Sequence, residues 1–91
     1  MDGGGDNQER LAATAPLFAP PVKRSVTIAG HPTAISLEPI FWDALRAHAQ
    51  QLDLPVNALI ARIDAARLAA DDPPNLASAL RCWLFADERH V

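Results

Sequence analysis

Polar and apolar residues alternate in two short segments in the first half of the chain. The first alternation predicts a strand over about residues 24–28, and the second predicts a strand over 33–37. Residues 29–32, with one glycine and one proline, break the pattern between them. Because side chains of a strand alternate between its faces, Ile35 and Leu37 are expected to point into the core.

Apolar residues then recur at helical spacing in three segments. They predict helices over about 39–52, 56–70 and 76–87. Pro39 suits the first turn of the first helix, and Asn75 is predicted to cap the third. The stripe of the third helix must cover either the two-helix unit or a second copy of the chain.

The first 22 residues are rich in Gly, Pro, Asp and Ala, and we expect them to form a flexible leader that does not join a core. Residues 23–91 are then the folded domain. A segment of about 70 residues seldom buries enough apolar surface to be stable alone, which favours oligomerisation.

Disulfides and metals are poorly supported as alternative sources of stability. Cys82 is the only cysteine, and His31, His48 and His90 are not at ligand spacing from it or from each other. We therefore expect neither a metal nor a cofactor. No catalytic motif or phosphate-binding glycine loop is recognisable, so we do not expect an enzyme.

The formal net charge of −3 argues against a partner as acidic as DNA, but the charges are unevenly placed. Residues 23–91 contain seven basic and eight acidic residues, a net charge of −1. Lys23, Arg24 and His31 all precede the first acid of this domain, Glu38, and form a basic patch. The chain has no apolar run of membrane-spanning length and no signal-peptide pattern, so we expect a cytoplasmic protein.

Four segments resemble the ribbon-helix-helix superfamily, which includes the Arc- and MetJ-like repressors. Residues 33–45 (TAISLEPIFWDAL) are similar to its strand-to-helix signature. Residues 23–31, 57–60 and 75–81 more closely resemble an uncharacterised bacterial ribbon-helix-helix domain family. The similarity covers about residues 23–85.

The resemblance implies a mainly α-helical fold with a short β-ribbon, an intertwined homodimer and an additional C-terminal helix. One strand from each protomer would form the ribbon, which enters the major groove of duplex DNA. The dimer core would consist of Ile35, Leu37, Phe41, Trp42, Leu45, Leu59, Ile60 and Ile63.

The resemblance also assigns DNA contacts. Pro32, Ala34 and Ser36 would face the bases, although only Ser36 has a hydrogen-bonding side chain. Lys23 and Arg24 would contact phosphates, as would the backbone at Val56 and Asn57, where the second helix begins. Near that helix start, Pro55 lacks an amide proton and Asp53 repels anions.

Three functions fit this sequence. The first is a DNA-binding transcriptional regulator. The second is a protein-interaction module of the antitoxin or adaptor kind, which binds a protein partner through the third helix and the Pro-rich leader. The third is a structural dimer. The pattern also leaves open whether residues 24–28 pair as a ribbon strand or form a mobile arm.

Overall fold

A computed structural model describes residues 18–88 of the chain. Its elements are β1 (Val22–Ile28), β2 (His31–Leu37), α1 (Pro39–Gln51), α2 (Val56–Leu68) and α3 (Leu76–Glu88). A two-stranded antiparallel sheet followed by three helices confirms the predicted ribbon-helix-helix fold with an additional C-terminal helix. Most of the predicted leader, residues 1–17, lies outside the described residues.

β1 and β2 form a hairpin within one chain, with Ile28 opposite His31 across a two-residue turn. The turn residues Ala29 and Gly30 have φ angles of 51° and 82°. Two consecutive positive φ angles characterise the type I′ turn, whose twist matches that of the flanking strands. The turn needs only these two residues, so β2 already begins at His31.

This pairing differs from the ribbon that the resemblance implied, in which each protomer contributes one strand. Residues 24–28 belong to β1, which pairs with β2 of the same chain. The tight turn brings β1 back alongside β2 directly, so the ribbon is complete without a second copy.

Pro32 lies inside β2, opposite Thr27. In a two-residue hairpin the pair that flanks the turn is hydrogen-bonded, and the next pair is not. The nitrogen of Pro32 therefore faces away from β1, where its missing proton costs no ladder hydrogen bond.

The hydrophobic core draws on all five elements. Its buried residues are Val26, Ile35, Leu37, Trp42, Leu45, Ala49, Leu59, Ile60, Ile63, Leu80 and Leu84. Leu37 is 0 % exposed and Trp42 is 2 % exposed in the single chain. The α3 residues Leu80 and Leu84 cover the two-helix unit, which the sequence pattern left as one of two possibilities.

Polar contacts attach α3 to the start of α1. The Arg81 side chain donates to Glu38 Oε1 from Nε at 3.1 Å and lies over the Phe41 ring. A backbone hydrogen bond, followed by the Arg81 guanidinium, holds the pKa of the Glu38 carboxyl below its usual value of 4.5. This contact therefore favours the folded state above that pH and is lost as the pH falls.

A second contact joins the other ends of the same two helices. His48 Nδ1 lies 3.1 Å from Asp87 Oδ2, and the His48 ring meets Trp83 edge to face. At the start of α3, the Ser78 amide donates to Asn75 Oδ1 at 2.8 Å, so Asn75 is the predicted N-cap. Together these contacts fix α3 along its length.

The turn generates a stability prediction. We expect Ala29→Asn to raise the free energy of unfolding by about 0.5–1 kcal/mol, because Asn tolerates the left-handed conformation better than Ala. Gly30→Ala should lower it by about 1 kcal/mol; no atom lies within 4 Å of the new Cβ, so the loss is purely conformational. Urea denaturation of both variants measures this, and a destabilised Ala29→Asn would contradict the turn geometry.

Candidate nucleic-acid interface

The hairpin has one face turned away from the core, which we call the outer face. It consists of three cross-strand pairs: Lys23 with Ser36, Ser25 with Ala34, and Thr27 with Pro32. All six residues are exposed. The alternation in β2 therefore orients Pro32, Ala34 and Ser36 outward and Ile35 and Leu37 inward, as the sequence pattern indicated.

The chemistry of the outer face comes mainly from β1. It contains three hydroxyl groups and one ammonium group, and no carboxylate. The sequence assigned only Ser36 as a polar contact, because the pairing of residues 24–28 was left open. Alternation within that segment already placed Ser25 and Thr27 on one side, and this was the signal that could have found them.

Lys23 and Arg24 were predicted to contact phosphates together, but neighbouring residues of a strand point to opposite faces. Lys23 lies on the outer face, opposite Ser36. Arg24 lies on the core face, where its guanidinium carbon is 5.7 Å from the centre of the Trp42 ring. Its contact with Trp42 gives Arg24 a role in packing that Lys23 does not have.

Trp42 also contacts the backbone of β1. Its indole Nε1 donates a hydrogen bond to the Val22 carbonyl oxygen at 2.9 Å. Buried beneath the open end of the hairpin, Trp42 therefore fixes β1 to α1. The Trp42 contacts hold the outer face in one orientation relative to the helices.

Three basic residues of the described chain are paired with carboxylates: Arg46 with Asp43, Arg67 with Asp64, and Arg81 with Glu38. The other three within residues 18–88, Lys23, Arg24 and Arg62, have no such partner. Two of these three lie on β1. The positive charge that is not locally neutralised is thus concentrated at the open end of the hairpin.

The start of α2 is the other predicted phosphate site. Pro55 precedes the helix and provides no side-chain cap, so the amides of Val56 and Asn57 have no capping acceptor. Val56 lines an open cleft of about 500 Å³ together with Asp53 and Arg46. Since Arg46 is paired with Asp43, Asp53 leaves this cleft unfavourable for an anion.

Asp53 is placed there by the way α1 ends. The Leu54 amide donates to the Ala49 carbonyl at 2.9 Å, and the Asp53 amide to Gln50 at 3.1 Å. These are the two hydrogen bonds of a Schellman motif, with Asp53 at φ 58° in the position that glycine usually occupies.

The residues predicted for the dimer core are mostly buried within one chain. Phe41 is the exception among them and is only partly buried. It lines a shallow apolar groove of about 180 Å³ between α1 and α3, with Ile40, Ala44, Leu84 and Phe85. Phe85 is 65 % exposed, so this groove is the largest apolar feature on the surface of these two helices in the described chain.

Other kinds of site are not evident within residues 18–88. No group of three or more His, Cys, Asp or Glu residues is placed to hold a metal ion. None of the described helices has the length and apolar content that crossing a membrane requires. Cys82 is exposed and unpaired in this part of the chain.

A family model described as a ribbon-helix-helix domain matches residues 21–87. The match runs from the residue before β1 almost to the end of α3 and so includes the hairpin and all three helices. No curated protein and no solved structure gives a significant match.

The contact between Trp42 and β1 can be tested by substitution. We expect Trp42→Phe to lower the free energy of unfolding by about 1–3 kcal/mol, because the Val22 carbonyl loses its donor and the core loses volume. Hydrogen exchange should accelerate at β1 amides more than at α2 amides. Phe41→Leu is a suitable control, since Phe41 lies next in sequence but does not contact Val22. Equal acceleration in β1 and α2 would contradict the role assigned to Trp42.

Proposed function

The chain belongs to the ribbon-helix-helix domain family, and we propose that it is a dimeric DNA-binding protein, a transcriptional regulator that inserts its two-stranded ribbon into the major groove. Domains of this family are commonly DNA-binding regulators, typically dimeric and non-enzymatic. The observation that carries the proposal is the outer face of the hairpin, which is exposed, hydroxyl-rich and free of carboxylates.

The dimensions of the hairpin suit this function. Neighbouring strands are about 4.8 Å apart, and the major groove is about 12 Å wide, enough for a two-stranded ribbon. In this arrangement Ser36 donates to or accepts from a base edge, while Ala34 and Pro32 make apolar contacts. A thymine methyl group is a suitable partner for Ala34.

Lys23 supports the proposal as a phosphate contact. It lies at the open end of the outer face, and its long side chain can reach the edge of the groove while the turn enters it. Val56 and Asn57 offer uncapped amides for a second phosphate, although Asp53 weakens that site. With so few contacts, we expect binding to depend only modestly on salt.

For the dimer, we propose that two copies meet at the groove formed by Ile40, Phe41, Ala44, Leu84 and Phe85. The other residues first assigned to the dimer core are already covered within one chain. A contact through α1 and α3 leaves both hairpins free, so that each enters the major groove at one half-site. The proposed setting for this function is the bacterial cytoplasm, where the DNA is.

One observation favours a second function, a protein-interaction module of the antitoxin or adaptor kind. The same groove exposes Phe85 beside α1 and offers an apolar helix of another protein a binding surface. In this version α3 binds a protein partner and the hairpin makes no sequence-specific contact. The oligomeric state and the DNA binding of the purified protein distinguish the two functions.

The opposite orientations of Lys23 and Arg24 give a matched pair of variants. We expect Lys23→Gln to weaken binding to random duplex DNA by about 3- to 10-fold at about 50 mM salt and to reduce the salt slope by about one. Arg24→Gln removes the same charge from the core face and should change affinity less. Fluorescence anisotropy at about 50 and 200 mM salt measures both.

Two outcomes of that experiment would count against DNA binding through the outer face. One is the absence of any binding by the wild-type protein at low salt, which would favour the protein-interaction function. The other is a larger effect of Arg24→Gln than of Lys23→Gln in variants with unchanged thermal stability.

The dimer is tested separately by sedimentation velocity at micromolar concentration. We expect the wild-type protein to sediment as a dimer and Phe85→Asp as a monomer, because a carboxylate in the groove would be desolvated on association. Leu68→Asp is the control: Leu68 is 59 % exposed at the end of α2 and does not line the groove. A monomeric wild-type protein would contradict the proposed dimer.

A further inference from the structure

We propose that Ser25 and Thr27 of β1 contact base edges and determine sequence specificity together with Ser36, so that one chain carries a complete base-contacting surface. This inference rests on the proposed DNA-binding function and extends it to a strand to which the sequence assigned only phosphate contacts. It follows from the pairing of β1 with β2 in the same chain.

The register of the hairpin makes the two strands complementary. Ser25 lies opposite Ala34, and Thr27 lies opposite Pro32. Each β1 hydroxyl is thus placed beside a β2 residue that has no hydrogen-bonding side chain. Every cross-strand pair of the outer face therefore has a polar group, whereas β2 alone provides only Ser36.

The spacing of these pairs also suits duplex DNA. Residues two apart on a strand are about 6.8 Å apart, and successive base pairs are about 3.4 Å apart along the axis. Consecutive pairs on the outer face are thus separated by about two base-pair steps when the ribbon follows the groove. Thr27 and Ser25 would contact bases at different positions of one half-site.

Widening of the ribbon by a second copy is disfavoured at the free edge of β2. Pro32 has no amide proton to offer on that edge, and the start of α3 borders it at Asn75, Leu76 and Ala77 across a groove of about 300 Å³. A sheet of four strands would also measure about 14 Å between its outer strands, more than the width of the major groove. These constraints favour entry of a single hairpin, in which β1 and β2 are equally close to the bases.

β1 is also held firmly enough to position its side chains. Val26 is buried in the core between Ser25 and Thr27 in sequence, and the Val22 carbonyl accepts the hydrogen bond from Trp42. The outward orientation of Ser25 and Thr27 is therefore set by contacts on the opposite face. Hydroxyl groups that are fixed in this way lose little conformational entropy on binding.

The test is selection of binding sequences from a random duplex library, using the full-length wild-type protein and the variants Ser25→Ala and Thr27→Val. We expect the wild-type protein to enrich a motif, and each variant to lose preference at a different position of it. Affinity for the wild-type motif should fall by about 3- to 10-fold, as expected for one hydrogen bond, with affinity for random duplex unchanged.

Thr33→Val is the matched control. Thr33 lies on the core face of the same hairpin, opposite Val26, so its substitution should leave the motif unchanged. Thermal unfolding of each variant verifies that the exposed substitutions preserve the fold. Ser36→Ala provides the reference loss for a β2 hydroxyl.

The outcomes separate this inference from the function on which it rests. Variants that enrich the wild-type motif with unchanged affinity would overturn the role of β1 and leave DNA binding intact. Wild-type binding to random duplex without any preferred sequence would have the same meaning. If the wild-type protein bound no duplex DNA at all, both the inference and the proposed function would be wrong.

Discussion

The fold depends on Trp42, the side chain that joins the ribbon to the helices. It is buried under β1, donates from its indole nitrogen to the Val22 carbonyl and carries the Arg24 guanidinium on its ring. An isolated two-stranded hairpin is marginally stable in water. Because Trp42 supplies both apolar area and a hydrogen bond at the open end, β1 keeps a fixed position and the outer face has a defined shape.

The third helix solves the size problem that the sequence raised. Leu80 and Leu84 cover the core formed by α1, α2 and the hairpin, and Arg81 and His48 contribute polar contacts at the two ends of the α1–α3 contact. A short chain thus buries its core without borrowing a helix from a second copy. Association between copies then involves a surface groove at Phe41 and Phe85 instead of the main core.

The helices and the inward residues of β2 were predictable because they follow simple periodicities and clear breaks such as Pro39 and Asn75. The pairing of β1 with β2 was harder to predict, since Ala29 is not a residue that signals a positive φ angle and Pro32 reads as a strand breaker. For the same reason Ser25 and Thr27 were absent from the predicted site. The division between Lys23 and Arg24 could have been predicted from strand alternation, whereas the stacking of Arg24 on Trp42 depends on tertiary packing.

Pro32 has a consequence for the solubility of the protein. A hairpin that keeps one face polar and uncovered also presents strand edges, and such edges are templates for polymerisation into extended sheets. On β2 the missing amide of Pro32 and the adjacent start of α3 oppose the addition of another strand, and on β1 the charge of Lys23 does the same. The chain can therefore leave its ribbon exposed and remain protected against amyloid-like association.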